Sequence, residues 1–241
     1  MRYRLLCLDA GFTLLAPRRT LGDALRGVLA EHGHRVTQAQ VHRAWEAADR
    51  WFWSEYHRPG NRIWGDDARI DEVWRQYHGL MLGELGLGDL RERLIDLILA
   101  AQYAPDSWEL YPDVLPTLDA LREQHGERLR MGIVSDWGSN LRPIITAVGL
   151  DPYLDFVLAS GAVGLAKPDP DFYALAAATV GVEPKDAMMV GDSHWGDVEG
   201  ARSAGMEGVL LLRPEWRSRR DPAPEGTTVI ATLTELPELI A

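Results

Sequence analysis

Cysteine is almost absent from this chain of 241 residues, in which Cys7 is the single example. One cysteine excludes an intrachain disulfide and offers no paired-thiolate spacing for a metal. Because Cys7 stands inside the apolar run 5–8, which is typical of a buried strand, we interpret it as a small core residue. A catalytic thiol is the less favoured interpretation.

The sequence also lacks an apolar run long enough to span a membrane, and it lacks an excess of positive charge. It has 25 Lys and Arg against 36 Asp and Glu, a formal net charge of −11. That sign argues against a broad electrostatic grip on nucleic acid or on an anionic membrane. The segment 1–8 is too short and too soon charged to be a signal peptide. We expect a cytoplasmic monomer or homodimer with no nucleic-acid or membrane partner.

One local cluster runs against this acidic balance. Arg213, Arg217, Arg219 and Arg220 stand around Trp216 near the end of the chain. A basic patch beside an aromatic ring can bind nucleic acid. Because the chain as a whole is acidic, we interpret this segment as a solvated loop.

Between residues 20 and 104 the sequence has the pattern of consecutive helices. Each candidate helix begins at a residue that caps helices well, and apolar residues recur at helical spacing within it. Short breaks between four such helices indicate a small antiparallel bundle. The predicted starts are Thr20, Thr37, Asp66 or Asp67, and Asp89.

Outside this block, short apolar runs alternate with helical stretches. That alternation predicts an α/β fold with a doubly wound, Rossmann-like parallel sheet covered on both faces. Because the helical block separates the first strand from the others, we interpret it as an insertion. The predicted core is 1–16 with 106–241, and the predicted insertion is 17–105. The predicted strands are 5–8, 129–134, 155–159, 187–190 and 209–212.

Polar residues follow the carboxyl ends of these strands, where open parallel sheets bind their ligands. A carboxylate that attacks phosphorus would divide one difficult displacement into two easier ones. Further carboxylates can hold Mg²⁺, and a lysine and a hydroxyl can bind phosphoryl oxygens. The pattern therefore favours phosphoryl transfer. The residues concerned are Asp9, Ser135, Asp136, Lys167, Asp192 and Asp197.

Four segments, in order, resemble the four sequence motifs of the haloacid dehalogenase-like (HAD) superfamily. They are residues 9–13, Ser135, the loop 160–169, and 191–193 with Asp197. The helical block resembles the α-helical cap that this superfamily inserts after its first motif. Each motif alone is weak, and their order at successive strand ends is what makes the resemblance specific.

The resemblance implies a Mg²⁺-dependent phosphatase of small phosphorylated metabolites. Asp9 would be the nucleophile and Lys167 a catalytic cation. Ser135, Asp136 and Lys167 would bind the substrate phosphate. The implied metal ligands are Asp9, the backbone carbonyl of Gly11, Asp192 and Asp197.

One position departs from the phosphatase pattern of the superfamily. Its phosphatases usually carry a second aspartate two residues after the nucleophile, as general acid and then base. Here that position is Gly11, followed by Phe12 in place of a glycine. General acid–base help contributes about 10²–10⁴-fold in rate. We therefore expect a slow or leaving-group-selective phosphatase, with Asp136 or a substrate group as an alternative proton donor.

Two other interpretations stay open. Haloacid dehalogenases of the same superfamily also lack the second aspartate, because halide leaves without a proton. They do not need Mg²⁺, however, and they tend not to keep the pair found here as Gly191 and Asp192. The other alternative is a catalytically inactive ligand-binding or regulatory protein that keeps the fold.

Overall fold

The computed structural model describes residues 2–56, 58, 63–214 and 223–240. Its centre is a parallel six-stranded sheet, which confirms the predicted fold class. The five predicted strands are present with bounds within two residues of the predicted ones, the largest difference being at 207–211, and the sixth strand, 228–230, was not predicted. The strands are β1 Leu5–Leu8, β2 Leu15–Pro17, β3 Trp108–Leu110, β4 Arg130–Ser135, β5 Phe156–Ala159, β6 Ala187–Gly191, β7 Glu207–Leu211 and β8 Thr228–Ile230. The sheet order is β5-β4-β1-β6-β7-β8.

The central strand β1 explains why this sheet is buried on both faces. Successive side chains of a strand point to opposite faces. Leu6 and Leu8 accordingly belong to one hydrophobic core, and Leu5 and Cys7 to the other. Burial also raises the pKa of Cys7 to about 12, so this thiol is an inert core group at neutral pH, as predicted.

Ten α-helices are found in the part of the chain that the structure describes. The first four lie between β2 and β3, and their apolar faces form a third core of their own. None of the described helices combines the length and the apolar composition that a membrane span requires. The helices are α1 Leu21–Glu31, α2 Gln38–Tyr56, α3 Asp67–Glu84, α4 Arg91–Tyr103, α5 Val114–His125, α6 Leu141–Ala147, α7 Ser160–Val163, α8 Pro170–Thr179, α9 Gly200–Ser203 and α10 Leu236–Ile240.

The helix starts follow the predicted capping residues. The Thr20 side chain accepts a hydrogen bond from the Asp23 backbone N–H at 3.1 Å. Thr37 and Gln40 bond reciprocally, side chain to backbone N–H, at 2.9 and 3.3 Å. Such caps satisfy N–H groups that the first helical turn leaves unpaired. The fourth helix begins later than predicted, because residues 88–90 form a 3₁₀ turn before α4.

The sequence analysis did not predict the ribbon that frames the insertion. β2 and β3 pair antiparallel, with Leu15 opposite Leu110 and Pro17 opposite Trp108. Three-residue strands are too short for an alternating pattern to be recognised. The chain thus leaves and re-enters the core through one two-stranded ribbon. The division into 1–16 with 106–241 and 17–105 stays a prediction.

Arg213 corrects the interpretation of the arginine cluster as a solvated loop. Its guanidinium is buried, pairs with both carboxylate oxygens of Asp113 at 3.0 Å and donates to the Thr13 carbonyl at 2.7 Å. It also lies 3.7 Å from the ring centroid of Tyr111. Arg213 therefore ties the loop after β1 to the start of α5. The other cluster members, 216–220, fall outside the described residues.

Besides the β2–β3 ribbon, a side-chain contact joins the helical insertion to the core. Asp67, in the first turn of α3, accepts hydrogen bonds from the Ser139 backbone N–H at 2.8 Å and the Ser139 hydroxyl at 2.6 Å. A Cβ at Gly161 would lie 2.4 Å from an Asp67 carboxylate oxygen, so the glycine permits this close approach. We call the pair Asp67–Ser139 the insertion latch.

Removing the latch with Asp67→Ala is expected to loosen the contact between the insertion and the loop 136–140. Both partners are exposed, so the loss should be about 1 kcal/mol, which corresponds to roughly fivefold faster hydrogen exchange at the Ser139 amide. Glu72→Ala, which removes an exposed carboxylate from the same helix, is the matched control. Equal exchange rates in the two variants would contradict a role for the latch.

Candidate active site

The predicted catalytic residues meet because three neighbouring strands end at one level. Leu8, the last residue of β1, pairs with Ile133 of β4 on one side and Val190 of β6 on the other. Asp9 follows directly, and its backbone N–H donates to the Val190 carbonyl at 2.9 Å. The ends of these parallel strands therefore place Asp9 between the loops after β4 and β6.

Lys167 is the electrostatic centre of the site. Its ammonium lies 2.6 Å from a carboxylate oxygen of Asp9 and 2.5 Å from one of Asp197, and all three side chains are buried. Burial alone would lower the pKa of Lys167, but Asp197 and Asp9 outweigh it and hold this pKa well above its ordinary value. Lys167 is therefore a permanent cation beside Asp9.

Asp197 is held in a defined orientation. It belongs to a π-helical segment, His194–Glu199, which directly precedes α9. One carboxylate oxygen bonds Lys167, and the other accepts the Ser193 backbone N–H at 2.9 Å. A Cβ at Gly191 would lie 2.1 Å from this carboxylate, so position 191 requires a glycine. The short π-helical turn is of a kind often found at functional sites.

Three carboxylates form a group suited to a divalent cation. Asp9, Asp192 and Asp197 each offer one oxygen, and these oxygens lie within 4.8 Å of one another. Carboxylate oxygens are the hard ligands that Mg²⁺ prefers. Asp192 is half-buried, which leaves this side of the group more open than Asp9 or Asp197. The donor set therefore fits Mg²⁺.

Ser135 and Asp136 lie on the other side of Asp9, where β4 ends. Ser135 is buried, and one oxygen of Asp136 accepts the Lys167 backbone N–H at 2.9 Å. The second Asp136 oxygen is sealed from solvent and has no hydrogen-bond partner among the described residues. Burial raises the pKa of Asp136 to about 7. The Asp136 carboxyl therefore holds a proton more readily than an exposed aspartate, and it also fixes the lysine loop.

The segment after Asp9 has an unusual backbone. Phe12 adopts a left-handed conformation with φ of 57°, which costs a non-glycine residue roughly 1 kcal/mol. The turn is held by hydrogen bonds to the Ala10 carbonyl from the backbone N–H groups of Leu14 and Leu15, at 2.9 and 2.8 Å. Gly11 and Phe12 therefore lie in a turn that these hydrogen bonds close.

Tyr56 is a site residue that the sequence analysis missed. It is the last residue of α2, and its ring meets Trp195 of the π-helical segment at 5.3 Å, edge to face. Burial raises the pKa of Tyr56, and the carboxylates of Asp136, Asp197 and Asp192 raise it further. The phenol is thus within electrostatic reach of the catalytic groups. Its sequence signal was weak, because it is one of several aromatic residues in the same helix.

All predicted site side chains lie at this one edge of the sheet. The structure brings Asp9, Lys167 and Asp197 into direct contact, adds Asp192 to the carboxylate group, and places Ser135 with Asp136 on the adjacent strand end. Their catalytic and ligand-binding roles stay proposals.

A sequence model of the family described as haloacid dehalogenase-like hydrolase matches residues 9–205. Haloacid dehalogenase-like hydrolase domain-containing protein 3 of Mus musculus is 29% identical over 217 residues, covering 89% of this chain and 84% of the relative. Phosphoserine phosphatase of Thermus thermophilus is 33% identical over 237 residues, covering 88% of this chain and 91% of the relative.

Solved structures with the same fold include a HAD phosphatase of Thermococcus onnurineus and several haloacid dehalogenases. The HAD-hydrolase YfnB of Bacillus subtilis, bound to magnesium, superposes with a TM-score of 0.73 at 19% identity, covering 100% of this chain and 99% of that one. L-2-haloacid dehalogenase of Xanthobacter autotrophicus gives a TM-score of 0.71 at 23% identity, covering 99% and 98%. At such identities the likeness shows the fold and does not decide between the activities.

Proposed function

Because this chain belongs to the haloacid dehalogenase-like hydrolase family, we propose that it is a Mg²⁺-dependent phosphatase of small phosphorylated metabolites. The observation that carries the proposal is the buried contact of Lys167 with Asp9 beside a group of three carboxylates. A nucleophilic carboxylate and an anionic phosphate repel each other, so a site for their reaction needs fixed positive charge. Lys167 supplies it directly at Asp9.

The reaction has two steps. A carboxylate oxygen of Asp9 attacks phosphorus, the bond to the leaving group breaks, and the leaving group departs with the electron pair. Water then attacks phosphorus, the bond to Asp9 breaks, and inorganic phosphate is released with one proton. Lys167 and the Ser135 hydroxyl bind phosphoryl oxygens throughout, while Asp136 fixes the lysine loop through the backbone N–H of Lys167.

A divalent cation would balance the remaining negative charge of the carboxylates and the phosphate. The residues that would hold it are Asp9, Asp192 and Asp197, with the backbone carbonyl of Gly11. Bound Mg²⁺ would offset the negative charge of the carboxylates and the phosphate together. Asp197 also holds the Lys167 ammonium, so it would couple the metal side of the site to the phosphate side.

Position 11 limits the choice of substrate. Gly11 has no side chain that could give a proton to the leaving group. Phosphates whose leaving groups are weak bases, such as aryl and acyl phosphates, need that proton least. Alkyl phosphates need it most. The substrate is therefore selected by its leaving group, with Asp136 or a substrate group as the available proton donor.

The same feature supports a second candidate, a 2-haloacid dehalogenase. Halide leaves without a proton, so having Gly11 in place of an acid would not slow such an enzyme. The carboxylate group at Asp192 supports the phosphatase instead, because halide displacement needs no metal. A ligand-binding protein without turnover is the third candidate, and it would bind Mg²⁺ while consuming no substrate.

The test compares phosphate release from phenyl, acetyl and propyl phosphate, with Mg²⁺ and with a chelator. We expect release from phenyl and acetyl phosphate that requires Mg²⁺, and propyl phosphate turned over at least about 10²-fold more slowly. Comparable rates on phenyl and propyl phosphate would overturn the selective form of the proposal. Chloride release from 2-chloropropionate, unaffected by chelator and without phosphate release, would establish the dehalogenase.

A further inference from the structure

The space beside Gly11 is filled by another residue. An ideal Cβ built on Gly11 would lie 3.3 Å from the six-membered ring edge of Trp137, at Cζ3, and 4.0 Å from Cε3. That separation is already tighter than an ordinary van der Waals contact, and an aspartate would add three further non-hydrogen atoms beyond the Cβ. The indole of Trp137 therefore crowds the space that a side chain at position 11 would enter.

Trp137 is anchored in this position from both its backbone and its ring. Its backbone N–H donates to the Ser160 hydroxyl at 3.1 Å, and its carbonyl accepts from that hydroxyl at 3.2 Å and from the Gly161 N–H at 2.9 Å. Its ring meets Trp108 edge to face at 4.8 Å. The Trp108 indole N–H in turn donates to the Gln102 carbonyl at 3.1 Å. Moving the ring edge of Trp137 away from Gly11 would therefore disrupt these contacts.

We propose that Trp137 is the specificity-determining residue of this site, excluding a side chain at position 11 and offering an apolar ring edge to aromatic leaving groups. The inference rests on the proposed function and names its substrate class, aryl phosphates. Trp137 is half-buried, so part of its surface stays available for contact with a ligand. An aromatic leaving group gains ring–ring contact there, and a phenolate departs without needing a donated proton.

The structural half of the proposal is tested by stability, which needs no activity. Gly11→Asp is expected to lower the melting temperature because its carboxylate meets the indole. Trp137→Ala lowers it as well, by removing packing. In Gly11→Asp/Trp137→Ala the two losses should be markedly less than additive, because the shortened residue 137 makes room for the aspartate. Strictly additive losses would overturn the claim that Trp137 crowds this space.

The catalytic half is tested with phenyl and acetyl phosphate. Trp137→Ala is expected to raise KM for phenyl phosphate by about threefold to tenfold, while KM for acetyl phosphate, which has no ring, stays within about twofold. Trp137→Phe, which keeps an aromatic ring and is the milder change for folding, should retain the preference for phenyl phosphate. An equal rise of both KM values would overturn the role of the ring.

Propyl phosphate separates this proposal from the proposed function. The double variant is expected to release phosphate from propyl phosphate at least about tenfold faster than wild type, since an aspartate can then act as general acid. Gly11→Asp alone should show no gain. If Gly11→Asp alone gains as much rate on propyl phosphate as the double variant, Trp137 does not exclude a side chain at position 11. The proposed phosphatase function would still stand in that case. If wild type releases phosphate from none of phenyl, acetyl and propyl phosphate, the proposed function itself is refuted.

Discussion

Replacing Asp9 by asparagine is expected to lower phosphate release from phenyl phosphate by at least about 10⁴-fold, the scale on which loss of a covalent nucleophile acts. The amide has nearly the shape of the carboxylate but lacks the charge and nucleophilicity that the displacement needs. Steady-state phosphate release in Mg²⁺ measures the effect.

Correct folding of the variant and a matched control distinguish this loss of activity from general damage to the protein structure. Asp9→Asn removes one of two carboxylates that face Lys167, and Asp197 still pairs with that cation, so the variant should fold. Asp171→Asn, an exposed aspartate in the first turn of α8, is the matched control and should retain wild-type activity. Retention of more than a tenth of the wild-type rate by Asp9→Asn would exclude Asp9 as the nucleophile.

Replacing Lys167 by methionine is expected to lower the free energy of unfolding by about 3–5 kcal/mol in the presence of chelator. The substitution removes a buried cation and leaves Asp9 and Asp197 facing each other without compensation. Urea denaturation measures the loss. Lys185→Met is the control, because that lysine is exposed and pairs with exposed Glu183, so its removal should leave the midpoint nearly unchanged.

The loss in Lys167→Met should depend on pH in one direction. Burial already raises the pKa of Asp197 and Lys167 acts to lower it, so removing Lys167 raises the folded-state pKa of that carboxyl further above the unfolded value. A group with a raised folded pKa favours the folded state below the unfolded pKa, about 4 for aspartate, and opposes it as pH rises. The difference between wild type and variant should therefore shrink toward acid pH. A difference constant from about pH 4 to 8 would contradict the account.

The parallel sheet and the catalytic constellation could be predicted because both follow from simple patterns. Apolar runs of strand length mark β1, β4 and β6, and parallel strands necessarily end at one edge. Residues placed directly after those strands, such as Asp9, are then neighbours whatever the details of packing. The capping residues Thr20 and Thr37 act within a single helical turn, so the starts of these helices could also be predicted from the sequence.

Contacts that depend on side-chain packing between distant segments, rather than on where parallel strands end, could not be predicted. Arg213 looks like one of a solvated group, yet it is buried against Asp113, which lies 100 positions earlier. Tyr56 reaches the catalytic groups only through the way the insertion lies on the core. The filling of the space at Gly11 by Trp137 likewise depends on packing across strands, for which local periodicity carries no information.

The central claim, that Asp9 is the covalent nucleophile of a phosphatase, is tested most directly by rapid acid quenching during turnover of phenyl phosphate with Mg²⁺, followed by mass spectrometry of the peptide that contains Asp9. The account predicts a phosphoryl group on Asp9 in wild type and none on that peptide in Asp9→Asn. A burst of phenol with the phosphoryl group on another residue, or with none on the protein, would contradict it.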